Sequence, residues 1–339
     1  MGFGGGLAVG LAIGSDTVTT AAAAPTVSVA EWSDLGALDV PDGYLVAVTG
    51  ESGITSAIVQ WDESGGGWEV VDVVCTYAAH SAAEWAATAG EWYDTGGVTV
   101  TTADGARCVD TTYATAWRWS ATASAWVPPL VYAGTVVVSA SPIYGDDAAP
   151  TGWTVTDTDG GGTASVTTDG TRITLSAVAG SASVTTARLT YADASLSTAG
   201  NAFGRALMTI PTQTQTSTSQ VGARLLLGDG THSVEYGGAR LSGGSPTVGR
   251  FFNAITLLPI AAQANFSADT TAETLVEWVK IGDRTAVRVG GGAGVWQALN
   301  NASARAAVLK AWIFSVDASL TSGTASGSLT VRHGRFVRF

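Results

Sequence analysis

The residues able to do chemistry are histidines, cysteines and clustered carboxylates, and their spacing builds no familiar catalytic site. His80, His232 and His333 each stand without a nucleophile or paired acid in the surrounding sequence. A general base must reach the proton it takes and is normally oriented by a third group, so each is expected to be a surface or strand residue. Walker, HExxH and GxSxG patterns are missing. Asp146-Asp147 and Asp157-Thr158-Asp159-Gly160 are the tight carboxylate clusters. The second resembles half of a calcium loop but lacks the downstream bidentate Glu, so a hairpin turn is the expectation there. Cys75 and Cys108 lie in no CxxC pair. A bridge between them is conceivable, but buried free thiols are expected of a product of a reducing cytoplasm. No catalytic residue, metal site or cofactor is expected.

The elements that would carry any site are strands. Short Val/Thr/Ile runs bounded by Gly, Asp and Ser recur along the 339 residues, long runs with apolar residues three and four apart are missing, and Lys280 and Lys310 are the only lysines. This pattern specifies an all-β chain. A net charge of −12 argues against a nucleic-acid surface, which needs a basic face. The charge is uneven. Residues 270–339 hold eight Lys/Arg against four Asp/Glu, a balance of +4, which leaves −16 on the rest.

One pattern occurs twice. Gln60-Trp61 and Trp68-Glu69-Val70 flank the loop Asp62-Glu-Ser-Gly-Gly-Gly67, and Arg118-Trp119 and Trp126-Val127-Pro128 flank the loop Ser120-Ala-Thr-Ala-Ser-Ala125. Each is expected to be a hairpin with a tryptophan at either side of the turn, free to pack ring against ring. Ala30-Glu31-Trp32 and Ala83-Glu84-Trp85 precede the two copies, so the repeated unit is longer than its hairpin. Two small tandem β-modules follow, residues 25–76 and 77–130. Modules of about 50 residues bury little surface alone, so stacking on each other or across chains is expected.

Residues 1–24 open with an apolar, Gly-rich run that has no Lys or Arg before it and is shorter than the about 20 apolar residues of a membrane span. The expectation is a linker and attachment segment ordered by docking, with no membrane insertion. Residues 131–152, with Pro142 and Pro150, form a connector, and 153–339 is long enough for a β-sandwich.

The start Pro41-Asp42-Gly43-Tyr44-Leu45-Val46, followed by Gln60-Trp61-Asp62, a Gly/Ser loop and Trp68-Glu69-Val70, resembles the small repeated β-modules of fibre proteins from tailed bacteriophages and related gene-transfer particles. The resemblance covers residues 30–130 and carries no catalytic signature. It implies a virion structural protein, assembled in the bacterial host cytoplasm, whose N-terminus attaches to other virion proteins of baseplate, tail or capsid and whose C-terminus points at the host. It also implies, in part, a homotrimer.

In the C-terminal region the best-defined piece is Thr274–Ile281, Gly282-Asp283 and Arg284–Val289. A two-residue turn sets Trp278 opposite Val287 and Val276 opposite Val289 on a core face, with Glu277 opposite Arg288 on a wet one. With Leu309–Val316, Gly327–Arg332 and Arg335–Phe339, this hairpin resembles the concanavalin-like jelly rolls that recur in phage fibres. The resemblance implies a lectin-like head contacting a host cell-surface glycan. From the residues themselves, Trp296 beside Asn300 and Asn301 is the candidate ligand site, an aromatic face next to amides that pair with hydroxyls. A decoration protein without a ligand, or a polysaccharide-degrading tailspike, is the alternative.

Overall fold

A computed structural model describes residues 25, 27–86, 88–92, 98, 100–133, 138–139, 143–192, 201–211, 214–215, 219–228, 233–241, 250–253, 272–281, 284–293, 297–299, 311–320 and 323–339. Segment 1–24 therefore lies outside the described residues.

The strands β1 (Val27–Val29), β2 (Leu45–Val48), β3 (Ile54–Asp62), β4 (Gly67–Cys75), β5 (Val100–Asp110), β6 (Thr115–Ser120) and β7 (Ala125–Val127) form one seven-stranded sheet in sequence order. Two pairings, β1 with β2 and β4 with β5, are parallel, and each is bridged by a helical crossover: a 3-10 helix over Trp32–Ala37 and helix α1 over Tyr77–Glu84. Both repeated stretches thus read as a crossover followed by an antiparallel meander. Rather than stacking as separate bodies, they fuse edge to edge, β4 being both the end of one and the parallel neighbour of the next. Parallel pairing demands a crossover, and the Ala-rich Tyr77–Glu84 supplies it: Thr76 caps the helix by accepting from the Ala79 amide at 3.3 Å.

The two tryptophan hairpins share one pairing and one ring geometry. Trp61 pairs with Trp68 and Trp119 with Trp126, at centroid separations of 5.3 Å in both and interplanar angles of 64° and 66°. The Ala-Glu-Trp triplets are not equivalent, since Trp32 opens the 3-10 helix whereas Glu84 ends α1. Cys75 and Cys108 are free and buried, with sulfurs 3.7 Å apart. Their register sets Cys75 opposite Asp110 and Cys108 opposite Val73, so the two thiols meet along a diagonal between β4 and β5.

Helix α2 (Pro129–Tyr132) and β8 (Val138–Ser139) lead to the C-terminal strands. These are β9 (Trp153–Thr158), β10 (Thr163–Thr168), β11 (Ile173–Val178), β12 (Thr185–Ala192), β13 (Ala202–Thr209), β14 (Thr214–Gln215), β15 (Ser219–Gly228), β16 (Ser233–Leu241), β17 (Arg250–Asn253), β18 (Thr274–Ile281), β19 (Arg284–Val289), β20 (Gln297–Leu299), β21 (Ala311–Leu320) and β22 (Ala325–Arg338). A six-stranded antiparallel sheet runs β17-β16-β15-β21-β12-β9. A nine-stranded sheet runs β10-β11-β22-β13-β18-β19-β20, with β8 and β14 added on β22. Inward residues of both sheets, among them Trp153, Leu175, Leu189, Trp278, Phe314 and Phe336, make one core. The chain is all-β, a tandem-module sheet followed by a jelly-roll-like sandwich.

Two expectations change. The Asp157–Gly160 turn is not a hairpin, because β9 belongs to one sheet and β10 to the other, so it carries the chain between layers. The β18–β19 register is as the two-residue turn dictates, Trp278 opposite Val287 and Glu277 opposite Arg288. Its second face, however, is not wet. Phe203, Leu207, Leu275 and Val337 pack into the core of the seven-stranded sheet, and Glu277 is buried with them. The sandwich is docked on the modules by the outer side of its larger sheet.

Candidate functional site

Because that docking covers one outer face of the sandwich, the other, on the six-stranded sheet, carries the candidate site. Strand alternation places it. On β21, Phe314, Val316 and Ala318 point into the core, so Ser315 and Asp317 point out; on β12, Ala187 and Leu189 point in, so Thr186 and Arg188 point out. These four join. The Thr186 hydroxyl donates to Asp317 Oδ1 at 2.8 Å and the Ser315 hydroxyl to Oδ2 at 3.0 Å. Arg188 donates through Nε to the Ser315 hydroxyl at 3.2 Å and through Nη2 to Asp317 Oδ1 at 3.4 Å.

Alongside, register sets Thr158 opposite Thr186, Thr156 opposite Arg188 and Thr154 opposite Thr190, and all three β9 threonines are exposed. The Arg188 side chain is 44% exposed while that of Asp317 is 11% exposed. The carboxylate is thereby spent in holding its neighbours, leaving a half-open guanidinium with further N–H donors and a row of hydroxyls able to meet a hydroxyl-rich ligand. Sequence reasoning missed these residues. The signal was the polar/apolar alternation of Thr186–Thr190 and Phe314–Asp317, legible only once the core side of each strand is known.

Trp296, Asn300 and Asn301 lie outside the described residues; they flank β20, a terminal strand on the path of the larger sheet. Trp278, expected on the core face, is buried in the core 5.9 Å from Phe336. His80 is no surface residue. It lies in α1, fully buried, with Nε2 3.4 Å from Asp110 Oδ2, and burial is the largest influence holding its pKa below the ordinary value. His333 belongs to β22 and stacks between Tyr77 and Trp85 at 5.9 and 5.4 Å, its pKa pushed down to about 4 chiefly by burial and then by Arg332. His232 lies outside the described residues.

The junction between modules and sandwich is ionic at its centre. Glu84 at the end of α1 accepts from Arg205 of β13 and, at 2.7 Å, from Nε of Arg335 on β22. Burial pushes the Glu84 carboxyl up, but Arg205 and then Arg335 outweigh it and hold its pKa below the usual range. Arg205 lies 4.8 Å over the Trp117 ring and Arg335 4.4 Å over Trp85. Glu277 accepts a bidentate pair from Arg288 at 2.7 and 2.8 Å, and burial nonetheless raises its pKa. These carboxylates face the seam between two packed bodies, out of reach of a polymer chain. Among the described residues no group of three or more His, Cys, Asp or Glu could hold a metal ion, and no helix is long and apolar enough to cross a membrane.

No protein-family model and no curated protein matches the chain. Among solved structures, it is similar to the lectin UEA-II complexed with galactose, at 9% identity and a TM-score of 0.38 over 60% of this chain and 99% of that one. The CBM2 module of the evolved Dit of Lactobacillus casei BL23 phage J-1 matches at 12% identity and a TM-score of 0.35, covering 59% of this chain and 97% of that one. The Crh5 transglycosylase in complex with NAG matches at 12% identity and a TM-score of 0.37, covering 60% and 85%. These neighbours are lectin and carbohydrate-active β-sandwiches; the architecture of the present chain rests on its own strand order and core.

Proposed function

We propose that the chain is a structural protein of a virion, a tail fibre or spike, which attaches to other virion proteins through residues 1–24 and offers its sandwich to a host-surface glycan that it binds without cleaving. The observation that carries this reading is the unequal use of the sandwich's two outer faces. One packs on the tandem modules, while on the other the buried Ser315, Thr186 and Asp317 hold a half-exposed Arg188 beside the exposed β9 threonines. That is the arrangement of a mounted binding head. Hydroxyl and guanidinium donors on a sheet suit a polyhydroxylated ligand, and Trp296 with Asn300 and Asn301 would add an aromatic face and amides. The repeated modules form the shaft, and three copies assemble into a homotrimer.

Glycan-array binding of the full chain tests it. The wild-type protein is expected to retain a bacterial surface polysaccharide without shortening it, and Arg188→Ala, at a half-exposed position, to weaken retention about tenfold with unchanged circular dichroism. Retention unaffected by both Arg188→Ala and Trp296→Ala removes these sites. Absence of binding to any host polysaccharide favours a decoration protein, and release of oligosaccharides favours a tailspike.

A further inference from the structure

The seven-stranded sheet also has two faces, and only one is accounted for. Val46, Val48, Val59, Val73, Cys108 and Trp117 point into the core. Alternation and register turn Leu45, Ala47, Ile58, Val74, Val109 and Ala116 to the opposite side. Ala116 is exposed and the rest are only half-buried, as mid-sheet residues are when flanked by neighbouring strands but roofed by nothing among the described residues. Helix α2 shields the flank near Gly105, where Tyr132 lies. The solvated face of an antiparallel sheet ordinarily alternates to polar residues; here Ser56, Gln60, Glu69, Asp72, Arg107 and Arg118 share it with six apolar positions spread over five strands, and the chain has no lysine before Lys280.

We propose that this face is the interface between copies of this chain. Its charges favour that occupant. Acids sit on β4, at Glu69 and Asp72, and bases on β5 and β6, at Arg107 and Arg118, with register showing all four on the same face. A neighbouring copy that brings its β4 against β5 and β6 of the first meets opposite charge, and a ring of copies repeats that contact and closes. The pair already formed within the chain, Asp72 with Arg107 at 3.2 Å, joins a half-buried carboxylate to an exposed guanidinium and so contributes little that exchange would lose. The apolar positions then become the dry centre of the contact.

The inference rests on the self-association part of the proposed function and not on glycan binding. Light scattering of the full chain tests it. A mass of three times 34.2 kDa is expected for the wild type, falling threefold in Ile58→Lys/Val109→Lys with circular dichroism unchanged. A wild-type monomer, or an oligomer whose mass the double variant leaves unchanged, overturns the interface. A two-chain mass that the variant halves keeps the interface and overturns the trimer. Should the double variant lose its β signal, Ala116→Glu, at an exposed position on the same face, provides the same comparison.

Discussion

Replacing Glu84 by Gln should cost more than any surface change in the molecule, because it removes the one carboxylate that two buried guanidiniums share. Arg205 is fully buried and Arg335 is 5% exposed. Without Glu84, Arg335 keeps its bond to the Ser124 carbonyl at 2.8 Å and its place over Trp85. Among the described residues Arg205 keeps the Trp117 face and the more distant influence of Tyr77 and Glu277. Breaking a buried pair by deleting one partner costs about 3–5 kcal/mol, mostly the uncompensated charge left behind. Glu84→Gln is therefore expected to lose about that much in denaturant unfolding followed by tryptophan fluorescence, as a lower midpoint. The triple replacement Glu84→Leu/Arg205→Leu/Arg335→Met should recover most of the loss, since apolar isosteres remove the stranded charges along with the pair. The sign of the pH effect is fixed as well. The folded pKa of Glu84 lies below its unfolded value, so its contribution is full above the unfolded pKa and lost as pH falls through the folded one. A Glu84→Gln cost under about 1 kcal/mol would refute the reasoning, because it would mean that water or another acceptor reaches Arg205 at no penalty.

A second consequence concerns acid. His333 has a folded pKa of about 4 against an ordinary 6.5, so stability is constant above the unfolded value and falls between the two, by about 2–3 kcal/mol at pH 4.5. His333→Asn, which tolerates the positive φ of 51° there, should flatten that segment of the stability curve measured by denaturant titration; an equally steep curve in the variant would assign the loss to other groups. In the sandwich core, a Cβ at Gly204 would lie 2.8 Å from the Trp278 indole. Gly204→Ala should thus cost about 1–3 kcal/mol by overpacking, read as a lowered melting temperature, and a neutral result would show that Trp278 has room to shift.

What the sequence determined was local. Strand alternation and short turns fix pairings between neighbours in the chain, so the Trp61–Trp68 and Trp119–Trp126 hairpins and the Trp278–Val287 register were legible from residue order alone. The eight-residue α1 was not legible, its apolar positions being mostly alanines that give no clear stripe. Only the tertiary structure decided how the modules join and which polar residues are buried. Parallel pairing of β4 with β5 leaves no turn signature, and it made one sheet where repeats suggested two bodies. Glu277 reads as a solvent-facing residue until the outer side of its sheet is covered by another sheet. Glu84 meets Arg205 across 121 residues of chain and Arg335 across 251, separations over which no spacing rule operates. Hydrophobic periodicity says which side of a strand seeks cover, and it is the packing of distant strands that decides what provides it.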